Sequence, residues 1–314
     1  MMDLNGQVGK YKILKKLGSG GFGTVYLAED TFLKILRALK IPHRVGSQTE
    51  KLLQESAVQT RLLDHPFIVK LLTVDIIDGN IIMVMEYVKG TDLEKLLDEK
   101  EKLDIRTALR YFRQLLSALD FAHKNKVIHR DIRPSNILID ENDDIKVTDF
   151  GTSRLLEERQ FATTKIGSPP YMAPEQFEGR AILASDIYSA GCLFYEMVSG
   201  LPPVVAANPI DIYKRAKAGD YPPLAKKVPG LSAELNAIIM KTLAPDLANR
   251  YRNVGDVITD LDAMEDRRKD NTDEMKNIKE RIDARETRTD YMCWSCRKIM
   301  PRKLKKCLYC GADQ

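Results

Sequence analysis

The chain has little net charge and no long apolar run. Its 49 lysines and arginines nearly balance 45 aspartates and glutamates, which leaves a formal charge of +4. Overall charge therefore indicates no particular partner, neither nucleic acid nor an acidic surface. No stretch approaches the roughly 20 apolar residues that a helix needs to cross a bilayer. Nothing resembles a secretion signal, so we expect a cytoplasmic protein without a membrane span.

Cysteine is also scarce. Four of the five cysteines lie in the last 24 residues, and the fifth, Cys192, falls in an apolar helical stretch where a core role is expected. The sequence has no low-complexity tract, and its only internal repeat is the pair of cysteine knuckles near the end. A length of 314 residues allows one large domain and a small appendage, and it excludes a second large domain.

Two short motifs carry most of the information about chemistry. The first runs from His129 to Asn136 and reads H-R-D-I-R-P-S-N, and the second, D-F-G, begins at Asp149. The residues between them predict a strand over 137–140, a tight turn and a second strand over 145–148. Such a hairpin brings the two motifs to one edge of a cleft. It therefore places a candidate base, an amide and a metal-binding carboxylate in one small volume.

Together the two motifs resemble the catalytic loop and the metal-binding loop of a eukaryotic-type (Hanks-type) serine/threonine protein kinase. The resemblance extends to a glycine-rich segment, 18–25, which fits G-x-G-x-x-G-x-V at each fixed position. Glycines in this pattern also mark dinucleotide-binding folds, but those need a helix after the glycines, whereas strand-like sequence flanks this segment on both sides. The segment therefore indicates a loop that lets backbone amides approach the phosphates of ATP.

Further motifs follow in the order that this family shows. The segment R-A-L-K-I at 37–41 resembles the V-A-I-K of the family, and 167–175 resembles its G-T-P-x-Y-M-A-P-E. The resemblance implies that Asp186 braces the catalytic loop and that Arg250 pairs with Glu175. It also implies that the histidine of the H-R-D motif packs against the phenylalanine of D-F-G and takes no part in proton transfer.

The resemblance also implies a role for each site residue. Asp131 accepts or orients the proton of the substrate hydroxyl, Lys40 holds the α- and β-phosphates of ATP, and Glu55 fixes Lys40. Asn136 and Asp149 hold two Mg²⁺ (or Mn²⁺) ions through oxygen atoms. The residues implied in binding the nucleotide are Gly18, Gly20, Gly23, Val25, Ala38, Lys40, Glu86, Val88, Asp92 and Leu138.

One position departs from the pattern of the family. Serine/threonine kinases usually carry a lysine two residues after the catalytic aspartate, where it touches the γ-phosphate, and this chain has Arg133. Arginine keeps the charge but is longer, planar and forked. Pro134-Ser135 and the segment 167–175 favour serine/threonine specificity over tyrosine. Because every group of the reaction is present, we expect an active enzyme; an ATP-binding, pseudokinase-like scaffold whose tail carries the function is the alternative.

Arg130, directly before the catalytic aspartate, predicts control by phosphorylation. Kinases with this arginine are commonly activated by a phosphate on the segment between Asp149 and Glu175. We expect autophosphorylation at Thr164, with Thr163 as second choice, because a phosphate held by arginines gains charge-assisted hydrogen bonds and orders the loop. The alternative is that these threonines are ordinary loop residues.

A second module closes the sequence. Cys293 and Cys296, followed by Cys307 and Cys310, form C-x₂-C, ten residues, C-x₂-C. Paired knuckles of this kind suit one tetrahedral Zn²⁺ held by four thiolates, and a zinc with no position left for water is structural. A segment this small cannot form a stable hydrophobic core without a bound metal or a similar cross-link. The module resembles the short zinc ribbons of prokaryotic proteins; two disulfides or a redox pair are the alternatives.

The ribbon is basic, with six lysines and arginines between its outer cysteines. Zinc ribbons often serve as docking modules and this one offers few aromatic rings for stacking, so a protein partner is favoured over nucleic acid, with a purely structural cap as the third reading. The charged stretch before it predicts an extended helix with a weak coiled-coil seam. Through that seam the chain could form a homodimer; a solvated single helix fits the pattern equally well.

The sequence therefore predicts three parts. A protein kinase domain covers 8–264, with a β-rich N-lobe over about 8–87 and an α-rich C-lobe over about 88–264, in an α+β, two-lobed fold. A charged helical linker covers 265–290, and a zinc ribbon covers 291–314. The implied cofactors are ATP, Mg²⁺ (or Mn²⁺) and a structural Zn²⁺, and the implied partners are protein substrates.

Overall fold

The structure is a computed structural model that describes residues 6–20, 23–43, 56, 59–150, 168–267, 279–280, 291–300 and 304–314. The chain forms two compact units, Met1–Leu261 and Asp262–Gln314. Glu55, Thr163, Thr164 and most of the charged stretch 265–290 lie outside the described residues, so the predictions made for them stay predictions. Within the described ranges, no helix is both long and apolar enough to cross a membrane.

The first part of the larger unit is an antiparallel sheet of six strands. Its strands are β1 (Gln7–Val8), β2 (Tyr11–Gly20), β3 (Gly23–Asp30), β4 (Ile35–Pro42), β5 (Leu71–Ile77) and β6 (Asn80–Glu86). They lie in the order β1-β2-β3-β4-β6-β5, so each hairpin of the sequence forms neighbouring strands, and only β5 and β6 exchange places at the edge.

Alternation along the central strands divides the apolar residues between the two faces of this sheet, because successive side chains of a strand point to opposite sides. One face carries a cluster that includes Tyr11, Leu39 and Val84, and the other carries Ala38 and Met85. Strand β6 is buried on both faces, which explains its continuous run of apolar residues. The sheet therefore has a core on each side, and the second core contains Ala38 of the predicted nucleotide site.

Helices dominate the rest of the larger unit. They are α1 (Leu93–Lys100), α2 (Ile105–Lys124), α3 (Pro174–Phe177), α4 (Leu183–Ser199), α5 (Pro209–Ala218), α6 (Ala233–Thr242) and α7, of which 254–261 belong to this unit. A small antiparallel sheet joins β7 (Gly90–Asp92), β8 (Ile137–Asp140) and β9 (Ile145–Val147). The predicted α+β kinase fold, with a β-rich N-lobe and a helical C-lobe, is therefore confirmed.

Helix α4 forms the centre of the C-lobe. Nearly all of its residues are buried, and it ends at Gly200, whose φ of +86° is a left-handed conformation that glycine adopts without strain. At Gly191 the helix comes so close to α6 that an added Cβ would lie 2.1 Å from Oγ1 of Thr242. Phe194 packs its ring 5.0 Å from that of Phe112 in α2. These contacts make α4 a rigid support for the loops that carry the site.

The smaller unit contains a two-stranded ribbon of β10 (Tyr291–Met292) and β11 (Ile299–Met300). Two turns with the same hydrogen bonds follow each other in the chain. In the first, the amide of Cys293 donates to Lys298 and the amide of Arg297 donates to Cys293. In the second, Cys307 donates to Ala312 and Gly311 donates to Cys307. The repeated cysteine pattern of the sequence therefore corresponds to a repeated turn.

Candidate active site

The hairpin of β8 and β9 brings the H-R-D and D-F-G motifs together. Ile137 pairs with Val147, and the amide of Thr148 donates to the carbonyl of Asn136 at 3.0 Å. The predicted hairpin is confirmed, although the second strand ends one residue earlier than expected. Because Asn136 ends one motif and Thr148 directly precedes Asp149, this hydrogen bond places the two motifs side by side.

Asp131 and Asn136 are joined by two hydrogen bonds inside the catalytic loop. Nδ2 of Asn136 donates to the backbone carbonyl of Asp131 at 2.8 Å and to its carboxylate Oδ2 at 3.1 Å. A short 3₁₀ helix, Pro134–Asn136, turns the chain back so that the two side chains meet. Since the amide nitrogen is used within the loop, Oδ1 of Asn136 is the atom that can face a cation, and Oδ1 of Asp131 can face a hydroxyl.

His129 is a buried structural residue. Its Nε2 donates to the carbonyl of Thr148 at 2.8 Å, and its Nδ1 accepts from the amide of Asp131 at 3.2 Å. Its ring meets that of Phe150 edge to face, with 4.6 Å between centroids. Both ring nitrogens are thus hydrogen-bonded to backbone. The predicted packing of His129 against Phe150 is confirmed, and the residue also holds the backbone of Asp131.

Asp186, in the first turn of α4, is hydrogen-bonded to the backbone of the catalytic loop. Its two carboxylate oxygens accept the amides of His129 and Arg130, each at 2.8 Å, and Oδ2 also accepts Nε2 of His123. Burial raises the pKa of Asp186, but the hydrogen bond and charge of His123 and the bond from His129 outweigh this effect and hold the pKa below its usual value. The predicted bracing role of Asp186 is confirmed by these contacts.

Two residues of the site have a left-handed backbone. Arg130 has a φ of +70° and Asp149 a φ of +66°, in a region that residues other than glycine rarely occupy. Gln176 of α3 donates to the carbonyl of Arg130 at 2.9 Å, and Asp186 accepts its amide. Hydrogen bonds from two helices therefore hold a conformation that the loop alone would disfavour.

Lys40 and Asp149 connect the N-lobe sheet to the D-F-G motif. Nζ of Lys40, on β4, lies 2.7 Å from Oδ1 of Asp149, and the lysine side chain is 6% exposed. Burial raises the pKa of Asp149, but the charge and hydrogen bond of Lys40 outweigh it, and the pKa lies below its usual value. The partner predicted for Lys40, Glu55, lies outside the described residues.

The described residues of the glycine-rich segment, 18–20 and 23–25, lie on two antiparallel strands that pair with each other, as predicted. Gly18 pairs with Val25, and Gly20 pairs with Gly23 across β2 and β3. An added Cβ at Gly23 would lie 2.5 Å from the carbonyl of Ile41, so β4 requires glycine there. At Gly18 and Gly20 an added Cβ would meet nothing within 4 Å. Open space at these two positions is what a loop over a ligand needs.

The remaining residues predicted to bind the nucleotide lie along the junction of the sheet and the helices. Ala38 pairs with Met85 across β4 and β6, and Leu138 pairs with Asp92 across β8 and β7. The Glu86 carboxylate accepts Nζ of Lys146 at 3.0 Å, and this contact joins the end of β6 to β9. Val25 packs with Ala38, and Val88 lies two residues after the end of β6.

Asp92 has a structural role that the sequence analysis missed. Its Oδ1 accepts the amide of Lys95 and caps the N-terminus of α1, and its Oδ2 lies 2.6 Å from Nζ of Lys95. An aspartate directly before a helical stretch is a common N-cap, and that signal was available in the sequence. Its predicted contact with ribose stays a prediction.

Two further contacts near the catalytic loop were also missed. Nη2 of Arg133 lies 3.3 Å from Oε1 of Glu94 in α1. Tyr171, in the turn before α3, donates its hydroxyl to Oε2 of Glu196 at 2.7 Å. Burial, opposed by that hydrogen bond and reinforced by nearby Glu94 and Asp98, raises the pKa of Glu196 to about 7. No local pattern in the sequence indicates pairs so far apart in the chain.

The four cysteines of the ribbon converge, as predicted. Their Sγ atoms all lie within 4.8 Å of one another, with 3.6 Å between Cys293 and Cys310 and 3.7 Å between Cys296 and Cys307. Tetrahedral bonds of about 2.3 Å to zinc place sulfur atoms about 3.8 Å apart, whereas a disulfide requires about 2.0 Å. The amides of Cys296 and Ser295 donate to Cys293 and lower the pKa of its thiol to about 6. The four thiols, none of which is joined in a disulfide in this structure, are therefore spaced as one zinc ion requires.

Comparisons with known proteins agree with this geometry. Residues 11–257 match the protein kinase domain family. A probable serine/threonine-protein kinase of Clostridium acetobutylicum is 36% identical over 263 residues, which cover 80% of this chain and 39% of the relative. PrkC of Bacillus subtilis is 33% identical over 259 residues, covering 81% of this chain and 40% of the relative.

The serine/threonine-protein kinase PknB of Mycobacterium tuberculosis is 32% identical over 265 residues, covering 80% of this chain and 42% of the relative. The chain thus spans about two-fifths of the length of these curated relatives. The family match includes well over half of the chain and contains each motif of the site. The chain therefore belongs to the protein kinase family, alongside bacterial serine/threonine kinases.

Proposed function

We propose that this chain transfers the γ-phosphate of ATP to serine or threonine hydroxyls of proteins. The observation that carries the proposal is the hydrogen-bonded group of Asp131, Asn136 and the D-F-G strand. This group brings the carboxylate of Asp131, the amide oxygen of Asn136 and the carboxylate of Asp149 to one edge of the cleft. Lys40, from the opposite lobe, meets the second carboxylate at 2.7 Å.

Phosphoryl transfer depends mainly on positioning and on neutralising phosphate charge. The amide N–H of Asn136 donates a hydrogen bond to Asp131, so its oxygen would be free to hold a divalent cation together with the Asp149 carboxylate. Oxygen atoms of this kind are the hard ligands that Mg²⁺ prefers. Magnesium would supply charge neutralisation at the phosphates. Lys40 would bind phosphate oxygens in a nearly water-free position, where its charge acts strongly. Asp131, oriented by the amide of Asn136, would accept the proton of the substrate hydroxyl.

Phosphorylation of the chain itself is part of the proposal. We infer autophosphorylation at Thr164, or at Thr163, since Arg130 is held next to Asp131 by bonds from two helices. A phosphate near this arginine would gain charge-assisted hydrogen bonds and favour one arrangement of the loop. For the smaller unit we propose a structural Zn²⁺ on Cys293, Cys296, Cys307 and Cys310 and a protein docking role. A homodimer and a cytoplasmic location stay predictions.

The test is phosphoryl transfer by the purified full chain. Wild type, Asp131→Asn and Asp78→Asn are incubated with Mg²⁺ and γ-labelled ATP, and phosphosites are mapped by mass spectrometry. Asp78→Asn makes the same charge change in an exposed turn of the N-lobe and serves as the matched control. Label on wild type and the control but not on Asp131→Asn supports the proposal. Bound ATP with no label on any variant would support a scaffold instead.

A further inference from the structure

Arg133 lies between the catalytic loop and helix α1. It follows Asp131 by two residues, and its Nη2 lies 3.3 Å from Oε1 of Glu94. Glu94 stands in the first turn of α1, two residues after the N-cap Asp92, where a carboxylate is favoured by the partial positive charge of the helix end. The Arg133 side chain is 33% exposed and that of Glu94 is 50% exposed. The contact therefore ties the catalytic loop to the helix that begins at the predicted ribose site.

One donor of the Arg133 guanidinium is buried and unused. Its Nε has no hydrogen-bond partner among the described residues, although the atom is shielded from solvent. A buried N–H without an acceptor is unfavourable, so this donor is a natural partner for an anionic oxygen of a ligand. The group of the reaction that carries such oxygens next to Asp131 is the terminal phosphate of ATP.

The chemistry of arginine explains why it can replace lysine at this position. A guanidinium has five N–H groups fixed in one plane and can serve two anions at once, whereas an ammonium is a single point of charge on a flexible stem. In this chain Nη2 faces Glu94, and Nε has no hydrogen-bond partner among the described residues. A lysine carries its three donors on one freely rotating nitrogen, so it would not fix the phosphate-facing donor relative to the carboxylate.

We propose that Glu94 is a positioning residue that orients Arg133 toward the terminal phosphate of the bound nucleotide. The inference rests on the proposed function, because it assigns the phosphate donor to the same site. Glu94 itself touches no reacting atom. Arg133 departs from the family pattern, and Glu94 on α1 is the residue that pairs with it. The carboxylate of Glu94 limits the rotation of the Arg133 guanidinium.

The test is a double-mutant cycle on nucleotide binding, which needs no catalysis. Wild type, Glu94→Ala, Arg133→Lys and the double variant are compared by calorimetry with Mg²⁺ and either a non-hydrolysable ATP analogue or ADP. Glu99→Ala is the control, since Glu99 is exposed on the same helix. We expect Glu94→Ala and Arg133→Lys each to weaken binding of the ATP analogue about three- to fivefold, the range open to an exposed ion pair, and to leave ADP binding unchanged.

Coupling decides the outcome. The double variant should bind the ATP analogue no worse than Arg133→Lys alone, and Glu94→Gln, which keeps an acceptor, should recover part of the loss. Three results would overturn the inference. The losses of affinity for the ATP analogue could multiply in the double variant, or the affinity for ADP could fall equally. Alternatively, Glu94→Ala could weaken binding no more than Glu99→Ala does. A wild type that binds with this coupling but transfers no phosphate would refute the proposed activity and leave the role of Glu94 standing.

Discussion

Removing the guanidinium of Arg250 should strongly destabilise the larger unit, because the side chain is part of a fully buried ion pair. The Arg250 side chain is 0% exposed and that of Glu175 is 6% exposed. Nη1 and Nη2 donate to the two carboxylate oxygens at 2.7 and 3.2 Å. The remaining donors reach the carbonyls of Ala184, Ala244 and Pro245, so all five N–H groups are satisfied.

The magnitude follows from what Arg250→Ala leaves behind. The carboxylate of Glu175 stays buried with the hydroxyl of Ser185 as a donor, and three carbonyls each lose the hydrogen bond that Arg250 donates. Breaking a buried ion pair by removing one partner costs about 3–5 kcal/mol. For a domain of this size, that loss corresponds to a fall of about 10 °C in the melting temperature. Arg250→Lys should lose somewhat less, because an ammonium keeps the charge with three donors.

The single tryptophan lies in the ribbon, so its fluorescence does not report on the larger unit. Urea unfolding of the larger unit is therefore monitored by far-UV circular dichroism. Arg252→Ala, an exposed arginine nearby, is the control and should change stability by under about 0.5 kcal/mol. The double variant Glu175→Gln/Arg250→Met should be more stable than Arg250→Ala, because it leaves no unpaired buried charge. A loss in Arg250→Ala equal to that of Arg252→Ala would refute this reasoning.

Four further predictions concern packing, pH and the ribbon. Gly191→Ala should destabilise the C-lobe by about 1–3 kcal/mol in urea, because the new methyl group overlaps Thr242. The folded-state pKa of Glu196, about 7, exceeds its ordinary 4.5, so its contribution to stability falls as pH rises through that window. Glu196→Gln should therefore gain stability relative to wild type between pH 5 and pH 8, by on the order of 3 kcal/mol, measured by unfolding at both pH values. Metal analysis should find one zinc per chain, and Cys296→Ser should lose it. Arg297→Gly should stabilise the zinc-bound ribbon by about 1 kcal/mol, read from tryptophan emission in urea, because Arg297 has a φ of +57°.

Each of these predictions has an outcome that contradicts it. Wild-type stability of Gly191→Ala in urea would mean that α4 and α6 separate easily. A constant stability difference between Glu196→Gln and wild type across pH would show that the carboxyl is not shifted. Four thiols that react freely in the metal-loaded protein would exclude zinc ligation. Equal stability of the Arg297→Gly ribbon would show that the left-handed turn costs nothing.

Local patterns predicted the parts of the site whose residues are close in sequence. The β8–β9 hairpin and the pairing of the two strands that carry the glycines follow from alternation and turn residues within about ten positions. The pairing of Arg250 with Glu175 and the bracing by Asp186 came from the resemblance to a family, since no spacing rule links residues so far apart.

Other contacts could not be predicted from the sequence. Glu94 and Arg133 are 39 positions apart, and both are partly exposed, so neither apolar periodicity nor burial marks them. Their contact depends on where α1 lies against the catalytic loop, which is a result of packing over the whole C-lobe. Asp92 shows the opposite case: its capping role is local and follows from its position before a helical stretch.

The three hydrogen bonds that Asp186 accepts have a consequence for the order of folding. The carboxylate lies 57 and 56 positions after the amides of His129 and Arg130. Closing a loop of that length costs entropy before any contact repays it, so contacts of this kind form late. The left-handed backbone at Arg130 can therefore persist only after α4 has docked. A nascent chain that has emerged only as far as the D-F-G motif holds all the reacting groups, yet it lacks the helix that arranges them.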